Sequence, residues 1–144
     1  MNKPLLEYSI SARRIDGHVG EALCKSARLA IDIDPAGNPD AFNPAELLLA
    51  AVAACMLKGI ERITPMLKFR LEGVDIRVQG RRQDDPPKMI SINYEIAVKS
   101  DESDQRLELL HYNVRRYGTI FNTVAAATEL QGALIRAPGS ATNM

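Results

Sequence analysis

The chain has 144 residues, room for one ordinary domain. Its 18 Lys and Arg balance 18 Asp and Glu, so it lacks the cation excess on which nucleic-acid binding rests. A hydrophobic fraction of 46% excludes global disorder, and 2 Cys with 2 His argue against a disulfide-stapled scaffold, a zinc site or a histidine metal cage.

No metal or cofactor is therefore expected. Residues 1–15 carry no long apolar run and no small-residue cleavage site, so no signal peptide is read and a cytoplasmic protein is expected. The longest apolar run, 47–57, falls well short of the roughly 20 residues that span a bilayer.

In chain order, Leu6, Tyr8, Ile10 and Ala12 alternate with polar residues, the period of a half-buried strand. A second alternation, Leu29, Ile31 and Ile33, could pair with it as a hairpin through residues 17–20. Residues 34–40 are a cluster of turn formers. The Asp32-x-Asp34-x-x-Gly37-x-x-Asp40 spacing is similar to a calcium loop. Ala36 and Asn43 stand where ligands are needed, so it reads as a turn.

Asn43-Pro44-Ala45-Glu46 predicts a helix start, with Asn43 at N-cap, Pro44 at N1 and Glu46 closing a capping box. The following 47–57 run is apolar on every face, so the helix must be covered all round, which points to burial inside an oligomer. The helix is expected to stop near Pro65. Strands follow at 74–78 and 90–98, joined by a long loop over 81–87, and each has one wet face, as in an antiparallel sheet. A cap-rich start at 100–103 leads into an amphipathic helix bearing Leu107, Leu110, His111 and Val114, stopped by Gly118. A further helix over 119–128, a strand over 130–136 and a loose tail over 137–144 complete one α+β domain spanning 1–144, with its core over about 5–136.

Cys55 is the sharpest chemical signal. It lies on the apolar helix, and it reads either as a small core hydrophobe or as a reactive thiol. Being far from the helix N-terminus, a reactive Cys55 needs a cation from elsewhere. If the first strand continues in parity, Arg14 points inward and Arg13 outward, and Arg14 could meet Cys55 and Glu46. Cys24 has outward parity and His111 lies on an apolar stripe; each reads best as structural. No intrachain disulfide is expected.

The run Asn43-Pro44-Ala45-Glu46-Leu47-Leu48-Leu49-Ala50-Ala51-Val52-Ala53-Ala54-Cys55-Met56 resembles the signature helix of the OsmC/Ohr family, and 117–124 is similar to its second motif. The resemblance covers about 5–136. It implies antiparallel sheets wrapped around a buried Cys-bearing helix in an intertwined homodimer, and thiol-dependent reduction of organic hydroperoxides. By it, Cys55 matches the peroxidatic Cys and Arg14 the activating Arg, while Glu46, next to the position of the helix-head Glu, is either its stand-in or only the helix cap. The implied partners are an organic hydroperoxide and an external thiol or dithiol, with neither nucleic acid nor membrane. The sequence departs from the family twice. The usual Glu aligns with Ala45, and the resolving Cys would fall at or near Gly118. These departures leave open a second reading, a non-peroxidatic dimer that binds an apolar ligand at the subunit interface.

Overall fold

The computed structural model describes residues 3–139, and these form six strands and three helices in an α+β arrangement. The chain divides between Leu47 and Leu48 into two compact units.

The first unit holds a three-stranded antiparallel meander of β1 (Ser11–Arg14), β2 (Val19–Cys24) and β3 (Ala27–Asp32). It differs from the expected hairpin in two ways. The strand expected over 6–12 forms only from Ser11, because β2 ends opposite it and leaves residues 5–10 no ladder. β1 pairs with β2 rather than with the 29–33 alternation. The Asp16 carboxylate accepts from the backbone N–H of His18 (2.8 Å) and Val19 (3.1 Å), which turns the chain from β1 into β2. Residues 34–40 do form the expected turn region. There, Asp34 accepts from the Ala36 N–H at 2.9 Å and meets His18 Nδ1 at 2.6 Å.

α1 (Pro44–Leu67) begins as predicted. Glu46 N–H donates to Asn43 Oδ1 at 2.8 Å, and Asn43 N–H donates to Glu46 Oε1 at 3.0 Å, a closed capping box. The helix passes Pro65 by two residues. It ends in a Schellman motif, with Lys68 left-handed (φ 51°) and Phe69 N–H on Thr64 O at 2.9 Å.

The second unit sets the rest of α1 with a sheet of β4 (Gly73–Asp84), β5 (Pro87–Lys99) and β6 (Glu129–Arg136). The expected long loop over 81–87 is instead strand up to Asp84 and a tight turn at Asp85-Pro86, with a bulge between Arg81 and Arg82. β5 and β6 run parallel, so the sheet is mixed rather than antiparallel. The cause is the crossover through α2 (Asp104–Tyr117) and α3 (Thr119–Ala125), which returns the chain in the same direction. The tail is described only to Gly139; residues 140–144 lie outside the described residues.

The core of this unit joins Val52, Met56, Ile60 and Ile63 of α1, Ile92, Tyr94, Ile96 and Val98 of β5, and Leu107, Leu110 and Val114 of α2. One polar knot ties it at the α1 C-terminus. The buried Glu102 carboxylate accepts from Arg70 N–H (2.8 Å) and Arg106 Nε (3.3 Å), and Arg106 Nη2 donates to Leu67 O at 2.5 Å. Arg106 thereby caps a helix-end carbonyl that has no partner within the helix. No helix among the described residues is long and apolar enough to cross a membrane.

Candidate functional site

Cys55 lies three turns into α1, half-buried, with fully buried Val52 and Met56 on either side of it along the helix. Its sulfur looks onto the corner where α2 meets α3. A single residue, Gly118, makes that corner, with extended backbone (φ −82°, ψ 117°). Gly118 stops α2 as expected, and it does so with extended rather than left-handed backbone. Its lack of a side chain answers a packing demand. A Cβ there would stand 3.0 Å from Cys55 Sγ, 3.0 Å from Phe121 Cβ and 3.2 Å from Val114 O. The position to which the resemblance assigns a second cysteine is thus the position that abuts Cys55.

The corner is held on both sides. Arg62 Nη2 donates to Tyr117 O at 3.3 Å, Asn122 N–H donates to Gly118 O at 2.9 Å, and Asn122 Nδ2 donates to Arg116 O at 3.2 Å. Next to it sits a polar cluster that sequence reasoning did not assemble. Tyr94, 4% exposed, has its hydroxyl 2.7 Å from His111 Nε2, and Arg115 Nη1 donates to the same hydroxyl at 2.7 Å. The Arg115 guanidinium lies 4.8 Å over the Phe121 ring, which meets the Tyr94 ring edge-on at 6.3 Å. Burial, with the Arg115 charge adding to it, holds the His111 imidazole below its ordinary range. Burial likewise pushes the Tyr94 phenol up, against the opposing pull of Arg115. His111 is half-buried, with Nε2 engaged by the Tyr94 hydroxyl. The available signal was a Tyr in an otherwise aliphatic inward row of β5, facing a His with an Arg four residues on.

The remaining sequence candidates lie in the first unit. Arg14 ends β1, opposite Gly20, and all four residues of that strand are exposed. Arg13 reaches Glu21 at 3.5 Å. Glu46 has one carboxylate oxygen committed to the capping box. Cys24 ends β2, opposite Ala27 at the start of β3, and its thiol donates to Ser9 O at 3.6 Å. Cys24 and Cys55 are both free thiols. The acidic loop around Asp32 and Asp34 spends its oxygens on the Asp34 and Ala36 N–H groups and His18. Among the described residues no cluster of His, Cys, Asp or Glu has metal-holding geometry.

A half-buried thiol packed against a corner without a side chain can be oxidised or alkylated, and it has no second thiol directly opposite. Comparison with known proteins adds the family. The fold is similar to that of an OsmC-like protein from Mycoplasma pneumoniae, with TM-score 0.81 and 19% identity over 94% of this chain and 99% of that one. It is also similar to an organic hydroperoxide resistance protein OsmC from Legionella pneumophila (TM-score 0.72, 18% identity, 94% and 100% covered). OhrB of Bacillus subtilis, an organic hydroperoxide resistance protein, matches with TM-score 0.65 and 17% identity over 91% and 99%. No protein of curated function matches the sequence. The profile of the OsmC-like protein family matches residues 37–131, which runs from the turn before α1 through Cys55 and Gly118 into β6, and the chain belongs to that family.

Proposed function

We propose that the protein reduces organic hydroperoxides with Cys55 as its single peroxidatic thiol, in defence against oxidative stress in a reducing, cytoplasmic setting. The observation that carries this reading is the Cys55 sulfur on the signature helix, facing the α2–α3 corner at Gly118. The names of the Legionella and Bacillus structures point to the same substrate class.

In this reading the Cys55 thiolate attacks the outer oxygen of the peroxide. The O–O bond breaks, an S–O bond forms, and the alkoxide leaves and takes a proton as the alcohol. Arg14 stabilises the thiolate and the departing alkoxide, and Glu46 orders the head of the helix. A second thiol is absent at Gly118, so an external thiol attacks the sulfenic acid, releasing water and leaving a mixed disulfide. A second external thiol then frees Cys55 as the external disulfide departs.

The working unit is a homodimer. Leu5, Leu6 and Tyr8 are 92%, 77% and 84% exposed, and Leu57 on the apolar helix is 41% exposed, so apolar surface stands open in the single chain. The glycine at position 118 favours a second reading, in which the dimer binds an apolar ligand without turnover. One experiment separates them. Cumene hydroperoxide is added to the reduced protein, and Cys55 is followed by intact mass and a sulfenic-acid probe. Rapid gain of one oxygen at Cys55, lost in Cys55→Ser, is expected. A Cys55 no faster than a free small thiol overturns the peroxidase reading.

A further inference from the structure

The Tyr94–His111–Arg115 cluster has no part in the chemistry proposed for Cys55, yet it is built as one unit. Gly132 of β6 lies beneath the Tyr94 ring, where a Cβ would come within 2.5 Å of ring carbons, so the ring can lie only across a glycine. The ring meets His111 edge-on at 5.7 Å. The hydroxyl accepts from Arg115 and lies 2.7 Å from His111 Nε2, to which it donates when that nitrogen carries no proton. That arrangement requires a neutral imidazole whose Nε2 accepts.

The cluster reaches Cys55 through one residue. Arg115 covers Phe121, and the Phe121 Cβ and Cys55 Sγ both crowd the same point beside Gly118. We propose that Tyr94, His111 and Arg115 form a proton-sensitive latch that holds the α2–α3 corner closed against Cys55.

A proton on His111 Nε2 turns an acceptor into a donor. The Tyr94 hydroxyl then faces two donors, its own hydrogen loses its acceptor, and two cations one helical turn apart share one oxygen. Arg115 is the partner that can leave, because its side chain is only partly buried. Once it leaves Phe121, the corner loses one of its ties. Glu108, three residues before His111 on α2, is exposed, so solvent screens its carboxylate. The neighbouring α1 positions, Met56, Gly59 and Ile60, are uncharged, as are Leu130, Gly132 and Leu134 of β6 and Phe121 and Val124 of α3; Arg62 is engaged with Tyr117 O. The direction in which burial and Arg115 move His111 keeps the latch shut at neutral pH and opens it in acid. The inference requires only the place of Cys55 beside Gly118, so it stands or falls apart from the peroxidase reading.

The test uses the full chain with Cys24→Ser, so that Cys55 alone reports, and dithiodipyridine as the thiol probe. His111→Gln supplies an acceptor that does not titrate. At about pH 7.5 the parent chain and its His111→Gln variant are expected to react alike. At about pH 5 the parent is expected to react about threefold faster than the variant, or more. A ratio unchanged between the two pH values overturns the latch. The two histidine ring signals, told apart with His18→Gln, give a measurement without core substitution. His111 is expected to titrate below about 6.5, and a midpoint at or above it overturns the proposal. Tyr94→Phe is expected to raise that midpoint, and an unmoved midpoint removes Tyr94 from the latch and overturns it as stated.

Discussion

Replacing Gly118 by cysteine tests the central geometry directly. With an S–S bond of about 2.04 Å and a near-tetrahedral angle at sulfur, each half-cystine Cβ lies about 3.0 Å from the opposite sulfur. A Cβ on Gly118 stands 3.0 Å from Cys55 Sγ. Gly118→Cys is therefore expected to close a disulfide to Cys55 with little backbone movement. The closed loop holds about 60 residues, for which chain entropy predicts about 4 kcal/mol of stabilisation. An opposing effect is present in both redox states. The same Cβ lies 3.0 Å from Phe121 Cβ and 3.2 Å from Val114 O, and such overpacking costs about 1–3 kcal/mol.

The clean comparison is thus oxidised against reduced variant, in which the overpacking largely cancels. At this chain length about 4 kcal/mol corresponds to a Tm difference of roughly 10 °C. Intact mass after alkylation gives the bond count. One blocked thiol, Cys24, is expected after mild oxidation, against three after reduction. Three alkylatable thiols in the oxidised variant, or an oxidised form that melts no higher than the reduced one, would refute the placement of Gly118 against Cys55.

Light scattering of the purified chain is expected to give twice the 15.8 kDa monomer mass at micromolar concentration; a stable monomer sinks the dimer. Glu102→Gln is expected to destabilise the fold by about 2–3 kcal/mol in denaturant melts, because a buried carboxylate that binds Arg70 N–H and Arg106 is lost. The Arg70 N–H bond, and then the Arg106 pair, hold the Glu102 carboxyl below its ordinary range. Its contribution is therefore full above that range and disappears as pH falls through the lowered value, a loss that Glu102→Gln should no longer show. Arg14→Ala is expected to slow Cys55 oxidation by about tenfold or more while Arg13→Ala changes it little; equal small effects would refute the strand-parity argument.

What was legible in the sequence was what short-range physics decides. The capping box needs only Asn43 and Glu46, three residues apart, and it formed as read. The inward row from Ile92 to Val98 and the α2 stripe from Leu107 to Val114 follow single periods, and both are in the core. β2 escaped because Gly20, Glu21 and Ala22 show no apolar alternation, its strand character coming from pairing on both sides. The 81–87 stretch looked like a loop because a hairpin tip with both faces in water carries charges at successive positions. The parallel β5–β6 pairing depends on a crossover, which no local pattern encodes.

Two glycines show why the site itself was hidden. By local rules Gly118 stops a helix and Gly132 weakens a strand. In the fold each removes a side chain where another residue must come close: the Cys55 sulfur at Gly118, the Tyr94 ring at Gly132. These are demands of partners distant in sequence, so they leave no periodicity to read. They also define what the site can do. A glycine at the corner lets the chain pass close to the sulfur and places no thiol at that position. A glycine under Tyr94 fixes the ring whose hydroxyl holds Arg115 on Phe121. The two close approaches differ in what they tolerate: a Cβ at Gly118 meets the Cys55 sulfur and the Phe121 side chain, whereas one at Gly132 runs into the Tyr94 backbone carbonyl, so Gly132→Ala is expected to lower the Tm more than Gly118→Ala.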